Sequence, residues 1–134
     1  KLYATDNSAK EEFDINQKTF KEITGQTSKI IRLPFGSKPY TSRASYNAIV
    51  NAGYKLWDWT LDTEDWKSTS PQIVETIKKH THDTDNIVLL IHERKQTVAV
   101  LDEIIKYFKK EGFEILPIKQ SDEERNYWNG KLFS

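Results

Sequence analysis

KLWDWTLDTEDW, residues 55–66, packs three tryptophans and four carboxylates into twelve positions. Its first half, with Trp57 and Trp59, suits a pleated strand, and its second half is an acidic loop in which Asp65 stands beside Trp66. Carboxylates next to an aromatic ring at the end of a strand suggest a functional site. The alternative is that Trp57 and Trp59 are core residues and that Asp65 caps a turn.

Similar strand patterns lie on either side of this stretch, and helical patterns separate them. The other expected strands are residues 29–33, 87–91, which should be covered on both faces, and 113–118. The first expected helix is residues 8–24, with a capping box at Ser8 and a stop at Gly25. The others are a helix capped by Ser42 or Thr41 that ends at Gly53, a helix capped by Ser70, and residues 98–108. Such alternation is typical of parallel βα repeats with right-handed crossovers. The fold class is therefore α/β, with four strands and four helices in a single domain over residues 1–134.

Composition narrows the classes of function. Twenty Lys and Arg balance twenty Asp and Glu, and no basic block interleaves with aromatic residues, so a nucleic-acid partner is not expected. The absence of cysteine excludes disulfides and thiolate metal sites. The longest apolar run, residues 87–91, is far below the ~20 residues of a membrane span.

Sites in parallel sheets form where the carboxyl ends of strands meet their loops. Three of these ends carry suitable groups, and we expect Arg32, Asp65 and His92 to face one pocket. His92 is the natural proton carrier, and a carboxylate such as Asp65 raises the pKa of an imidazole and fixes its orientation, which favours a general acid. Arg32 could hold a carboxylate or an oxyanion. The alternatives are a solvated His92 and a surface ion pair for Arg32.

Two further groups of residues leave alternatives open. Phe35, Tyr40 and Trp66 could form a platform for a sugar ring or could simply cover the edge of the sheet. His80 and His82 have a spacing that suggests metal binding, but they lie at the opposite end of the next strand, and interaction with a helix terminus is the stronger interpretation. We therefore expect no metal ligands in this chain.

Taken together, the strand ends resemble a known family over essentially the whole chain. Residues 32–36, RLPFG, are similar to an R-x-P-Y/F-G motif, residues 59–66, WTLDTEDW, to W-x-x-D-x-x-D-W, and residues 90–92, LIH, to L-x-H. These are motifs of the polysaccharide deacetylases, the NodB-type fold of carbohydrate esterase family four, in the family's order. The resemblance implies the C-terminal portion of a catalytic domain, with a partial NodB-type (β/α) barrel.

The resemblance also implies roles. His92 would protonate the leaving amine with Asp65 tuning it, Arg32 would orient the catalytic base, and the loop at Phe35 and Gly36 would offer a backbone donor to the oxyanion.

Trp66 and Leu90 would wall the pocket that receives the acetyl group. The family hydrolyses N-acetyl groups of aminosugar polymers such as peptidoglycan or poly-N-acetylglucosamine with a metal-bound water, commonly on zinc. A polysaccharide substrate and an extracellular or cell-surface location are therefore implied.

Two other family motifs do not occur in the sequence. These are an Asp-Asp pair, which supplies the base and one metal ligand, and a His-x-x-x-His pair, which supplies two further ligands. The opening Lys1-Leu2-Tyr3 resembles what normally follows the second motif. We expect a chain without base or cofactor site that is inactive alone, with a divalent metal only in the intact domain. The alternatives are a non-catalytic carbohydrate-binding or structural module and self-association through an exposed sheet edge.

Overall fold

Helices and short strands alternate along the chain. The computed structural model describes residues 2–133; Lys1, the first residue of the opening motif, and Ser134 lie outside the described residues. The elements in chain order are α1 (Ser8–Thr24), β1 (Ile30–Ile31), α2 (Arg43–Asn51), β2 (Lys55–Leu56), β3 (Leu61–Asp62), α3 (Ser70–His80), β4 (Leu89–Leu90), α4 (Lys95–Val98) and α5 (Leu101–Lys110).

Both strand pairs are parallel. β1 pairs with β2, with Ile31 opposite Leu56, and β3 pairs with β4, with Asp62 opposite Leu90. The α/β class with parallel strands is therefore confirmed. The tryptophan-rich segment forms two short strands rather than one, because its backbone changes hydrogen-bond partner between them. The N–H of Trp57 donates to the carbonyl of Ile31 in β1, whereas the N–H groups of residues 60 and 61 donate to the carbonyl of Val88.

The described residues group into two compact units. The first comprises the residues up to Asp58 together with Ile118–Leu132, and the second comprises Trp59–Pro117 and Phe133. The expectation of a single domain stays a prediction.

The first unit packs α1 and α2 over β1 and β2. Buried side chains form two apolar clusters, Ala9, Ile49 and Tyr54 in one and Leu33, Tyr46 and Leu56 in the other. Trp57 is 8% exposed and is a core residue, whereas Trp59, which the same interpretation of the tryptophan-rich stretch places in the core, is half-buried.

The helix boundaries of the first unit follow the predicted signals, with one exception. Helix α1 ends at Gly25, whose φ of 72° is the left-handed conformation that glycine adopts without strain, and the Ser42 hydroxyl caps α2 by accepting from the N–H of Ser45. The capping box predicted at Ser8 is wrong: Asn7 precedes the helix without a side-chain cap, and the Ser8 hydroxyl accepts from the N–H of Thr5.

The second unit packs α3 and α5 against β3 and β4. Its core consists of Leu61, Ile73, Val74, Ile77, Ile104 and Phe108. The N-cap of α3 is Thr69 rather than the predicted Ser70, because Thr69 and Gln72 cap each other reciprocally. Strand β4 is half-buried and not covered on both faces as predicted.

Two predictions in this unit are wrong. Residues 98–108 do not form one helix: α4 and α5 are separate, so that residues 2–133 contain five helices instead of four. Val98 is 61% exposed, so its apolar spacing does not mark a core face. The strand predicted at 113–118 is absent from the described structure, where Leu116 is 68% exposed and Pro117 has no N–H to donate.

None of the helices in residues 2–133 combines the length and the apolar character that crossing a bilayer requires.

Candidate functional site

The parallel register of β3 and β4 brings two loops of the second unit together. Asp62 lies opposite Leu90, so the chain leaves both strands at the same edge, and Asp65 and His92 follow within three residues of each strand end. The turn after β3 is tight: Glu64 has a φ of 49°, and its N–H donates to the Asp62 carboxylate at 2.8 Å. This turn directs Asp65 towards His92.

Asp65 is fully buried, and its carboxylate accepts three hydrogen bonds. Oδ2 accepts from the backbone N–H of His92 at 2.6 Å and from the Thr97 hydroxyl at 2.8 Å, and Oδ1 lies 2.8 Å from His92 Nδ1. The Gln96 side-chain amide donates to the Asp65 carbonyl at 2.6 Å, and the Ser70 hydroxyl donates to the Gln96 carbonyl at 2.7 Å. The loop after β3 is thus tied to the segment after β4 through both side chain and backbone.

These hydrogen bonds decide the charge of Asp65. Burial alone would raise the pKa of this carboxyl, but the bonds from the His92 backbone and ring and from Thr97 outweigh it and lower the pKa below its usual value. The carboxylate is therefore ionised and can only accept, so Nδ1 of His92 must carry the proton. Nε2 then lies on the side of the ring away from Asp65, and the His92 side chain is 41% exposed.

The other predicted residues of this unit are less enclosed. Trp66 is 60% exposed, with the Lys67 ammonium 5.3 Å from its ring centroid. Leu90 is half-buried in β4, and its carbonyl accepts from the Thr63 hydroxyl. A pocket wall made of Trp66 and Leu90 stays a prediction.

The first unit holds the remaining predicted residues at the end of β1. Arg32 is exposed, with one guanidinium nitrogen 3.4 Å from the Leu33 carbonyl oxygen. Phe35 and Tyr40 are 70% and 56% exposed, and their ring centroids are 5.8 Å apart. Gly36 has a φ of 83° and its N–H closes a turn onto Leu33 O, so the predicted backbone donor of this loop would have to be Phe35. That the three strand ends face one pocket stays a prediction.

Asp58 is a buried carboxylate that organises the loop of the first unit. It is 2% exposed and accepts from the Ser37 N–H at 2.8 Å, from the Ser37 hydroxyl at 2.5 Å and from the Tyr127 N–H at 2.9 Å. Its own N–H donates to the Arg125 carbonyl. Asp58 therefore connects three parts of the first unit, namely β2, the loop that contains Phe35 and the C-terminal segment.

Sequence reasoning missed both Asp58 and Thr97. Their hydrogen-bond partners Ser37 and Asp65 are 21 and 32 residues away in the chain, so no local sequence pattern indicates these contacts. The only sequence signal for Asp58 is a carboxylate between two strand tryptophans, a position where burial requires donors from elsewhere.

The two other histidines each bind a carboxylate of their own. His80 Nδ1 lies 2.6 Å from Asp83, and His82 Nε2 lies 3.3 Å from Glu111 while its ring packs on Phe113. In residues 2–133, no group of three or more His, Cys, Asp or Glu side chains is placed to hold a metal ion. The donor set of the described chain therefore does not fit a metal centre.

Comparison with known proteins gives concordant relatives in sequence and in structure. No protein-family model matches the chain. It is similar to two peptidoglycan-N-acetylglucosamine deacetylases of Bacillus cereus, with 29% identity over 115 residues (80% of this chain and 42% of the relative) and 32% over 128 residues (89% and 58%). The chain spans about half the length of these relatives. The crystal structure of the polysaccharide deacetylase Bc1974 from the same species is similar, with a TM-score of 0.82 and 27% identity, covering 94% of this chain and 65% of that one.

Replacement of Asp58 should destabilise the chain strongly. Asp58→Ala leaves two backbone N–H groups and a hydroxyl without an acceptor, and we expect a loss of about 2–4 kcal/mol in the free energy of unfolding, measured with urea. Glu123→Ala is the control, since Glu123 is 69% exposed and pairs with Lys131 at the surface. Equal effects of the two substitutions would contradict the role of Asp58.

The ionised Asp65 should make stability depend on pH. Because its pKa is lowered on folding, Asp65 contributes stability above the unfolded pKa of about 3.9 and loses that contribution as the pH falls through the folded value. The difference in unfolding free energy between wild type and Asp65→Asn should therefore shrink below about pH 4. Asp102→Asn, which removes an exposed carboxylate, controls for net charge. A constant difference across this range would exclude the lowered pKa.

Proposed function

Because the chain is homologous to part of the polysaccharide deacetylases of carbohydrate esterase family four, we propose that it carries the proton-donating half of a polysaccharide N-deacetylase site. The substrate class is an aminosugar polymer of the cell wall or cell surface, with peptidoglycan as the first choice. The observation that supports this proposal most is the buried Asp65 carboxylate bonded to both the ring and the backbone of His92.

His92 acts as the general acid. Hydrolysis of an N-acetyl group expels an amine, which leaves only when a proton reaches its nitrogen. Asp65 holds Nδ1–H on the buried side, so the doubly protonated ring can give the proton at Nε2. The fully buried carboxylate holds the ring in this orientation while the proton is passed on.

The other residues have supporting roles in this proposal. Arg32 orients the catalytic base, and the loop of Phe35 and Gly36 offers a backbone donor to the oxyanion. Trp66 and Leu90 wall the space that receives the acetyl group. Exposed aromatic rings such as Tyr40 suit the apolar face of a sugar.

The proposal assigns neither the base nor the metal ligands to this chain, since its sequence contains neither an Asp-Asp pair nor a His-x-x-x-His pair. The donor set of residues 2–133 does not fit a metal ion, so none of the roles assigned to these residues runs through one. We infer that the chain alone does not hydrolyse N-acetyl groups. We also infer that its two parallel strand pairs belong to a NodB-type (β/α) barrel and that the protein acts outside the cell or at its surface.

Activity measurements test the general acid. In the full-length product of the gene, His92→Ala should lower kcat on an N-acetylglucosamine oligomer by roughly 10²–10⁴-fold. His82→Ala is the matched control, because His82 contacts Glu111 and Phe113 instead of Asp65. The chain of residues 1–134 should show no turnover with added zinc. A full-length product without any turnover, or an active His92→Ala variant, would contradict the proposal.

A second candidate function is a non-catalytic carbohydrate-binding module. The exposure of Phe35, Tyr40 and Trp66, between 56% and 70%, favours it, since these rings do not serve the core. In that case the chain would bind N-acetylglucosamine oligomers, Trp66→Ala would abolish binding, and the full-length product would not hydrolyse them.

A further inference from the structure

Asp65 accepts a hydrogen bond from a residue outside the three sequence motifs. The Thr97 hydroxyl lies 2.8 Å from Asp65 Oδ2, and Thr97 is 2% exposed. Thr97 belongs to α4, directly after Gln96, whose side chain donates to the Asp65 carbonyl. Two consecutive residues of α4 therefore hold the carboxylate and the backbone of Asp65.

The bond from Thr97 has a geometric consequence for His92. The Asp65 carboxylate can rotate about its Cβ–Cγ bond, and without Thr97 the His92 N–H would be the one donor left on Oδ2 to oppose that rotation. Oδ2 is fixed by two donors, the Thr97 hydroxyl and the His92 N–H, which leaves Oδ1 directed at His92 Nδ1. The position of the imidazole then depends on α4 as well as on β4.

We propose that Thr97 is a positioning residue that fixes the Asp65 carboxylate so that His92 keeps its proton on Nδ1 and presents Nε2 to a substrate. The presentation of Nε2 to a substrate rests on the proposed function, whereas the control of the tautomer does not. Gln96 holds the backbone of the same aspartate by donating to the Asp65 carbonyl. If Thr97 were purely structural, its hydroxyl would need only some buried acceptor, and its removal would not change the tautomer of His92.

The tautomer of His92 provides the test. In the ¹⁵N-labelled chain at a pH where the ring is neutral, long-range ¹H–¹⁵N correlation spectra should show His92 as the Nδ1–H form, assigned by its loss in His92→Gln. Thr97→Val removes the hydroxyl at nearly constant volume. The ring should then mix with the Nε2–H form that a free imidazole favours, and the Nδ1 proton should exchange with water about tenfold faster or more, as expected for loss of a hydrogen bond to a charged group.

Two further variants separate positioning from packing. Thr97→Ser keeps the hydroxyl and should retain the wild-type spectrum. Thr81→Val removes another buried hydroxyl of the same unit, one that donates to the Ile77 carbonyl, and should lower stability without changing the tautomer. If Thr97→Val does not fold by circular dichroism, Thr97→Ala is compared in the same spectra.

An unchanged His92 spectrum in a folded Thr97→Val or Thr97→Ala variant would overturn the proposal, as would a Thr97→Ser variant that mixes tautomers. These outcomes are independent of the proposed deacetylation. If Thr97→Val changes the tautomer but the full-length product shows no turnover, the positioning role of Thr97 holds and the proposed function is rejected. If the full-length product is active but the tautomer is unchanged, the proposed function holds and the positioning role is rejected.

Discussion

The second unit depends on one buried anion, the carboxylate of Asp65. A carboxylate without exposure is costly unless donors surround it, and here the His92 backbone, the His92 ring and the Thr97 hydroxyl supply them. These donors come from the segment after β4, so the charge can be buried only when β3 and β4 are paired in the observed register. The strand register that allows the Asp65 carboxylate to be buried therefore also orients the imidazole of His92.

The same tryptophan-rich stretch places a second buried carboxylate in the first unit. Asp58 binds the Ser37 loop and the N–H of Tyr127, as Asp65 binds the segment after β4 in its own unit. In each unit a short parallel strand pair has few backbone bonds, and a buried aspartate ties the following loops together. Candidate site residues lie in the loops that the two aspartates hold, so the rigidity needed for chemistry comes from buried hydrogen-bonded side chains more than from long strands.

The sequence predicts those features of the structure that depend on local patterns, and it does not predict contacts between residues that are far apart in the chain and carry no such pattern. Helix α1, its stop at Gly25 and the parallel α/β class rest on local spacing and alternation, and these were predictable. The contact of Asp65 with His92 followed from two strand ends at one edge. Thr97 and Asp58 were not predictable, because their partners are set by tertiary packing. Residues 113–118 have the composition of a strand, but no neighbouring strand pairs with them in the described structure.

The pKa of Asp65 itself provides the most direct test of this buried anion. A carbon-13 NMR titration that follows the Asp65 carboxyl carbon in the folded chain gives this value without reference to stability or activity. We expect the pKa to lie below the usual value of about 3.9, because three hydrogen bonds outweigh burial. A pKa at or above that value would contradict the claim that the hydrogen bonds from His92 and Thr97 outweigh the burial of Asp65.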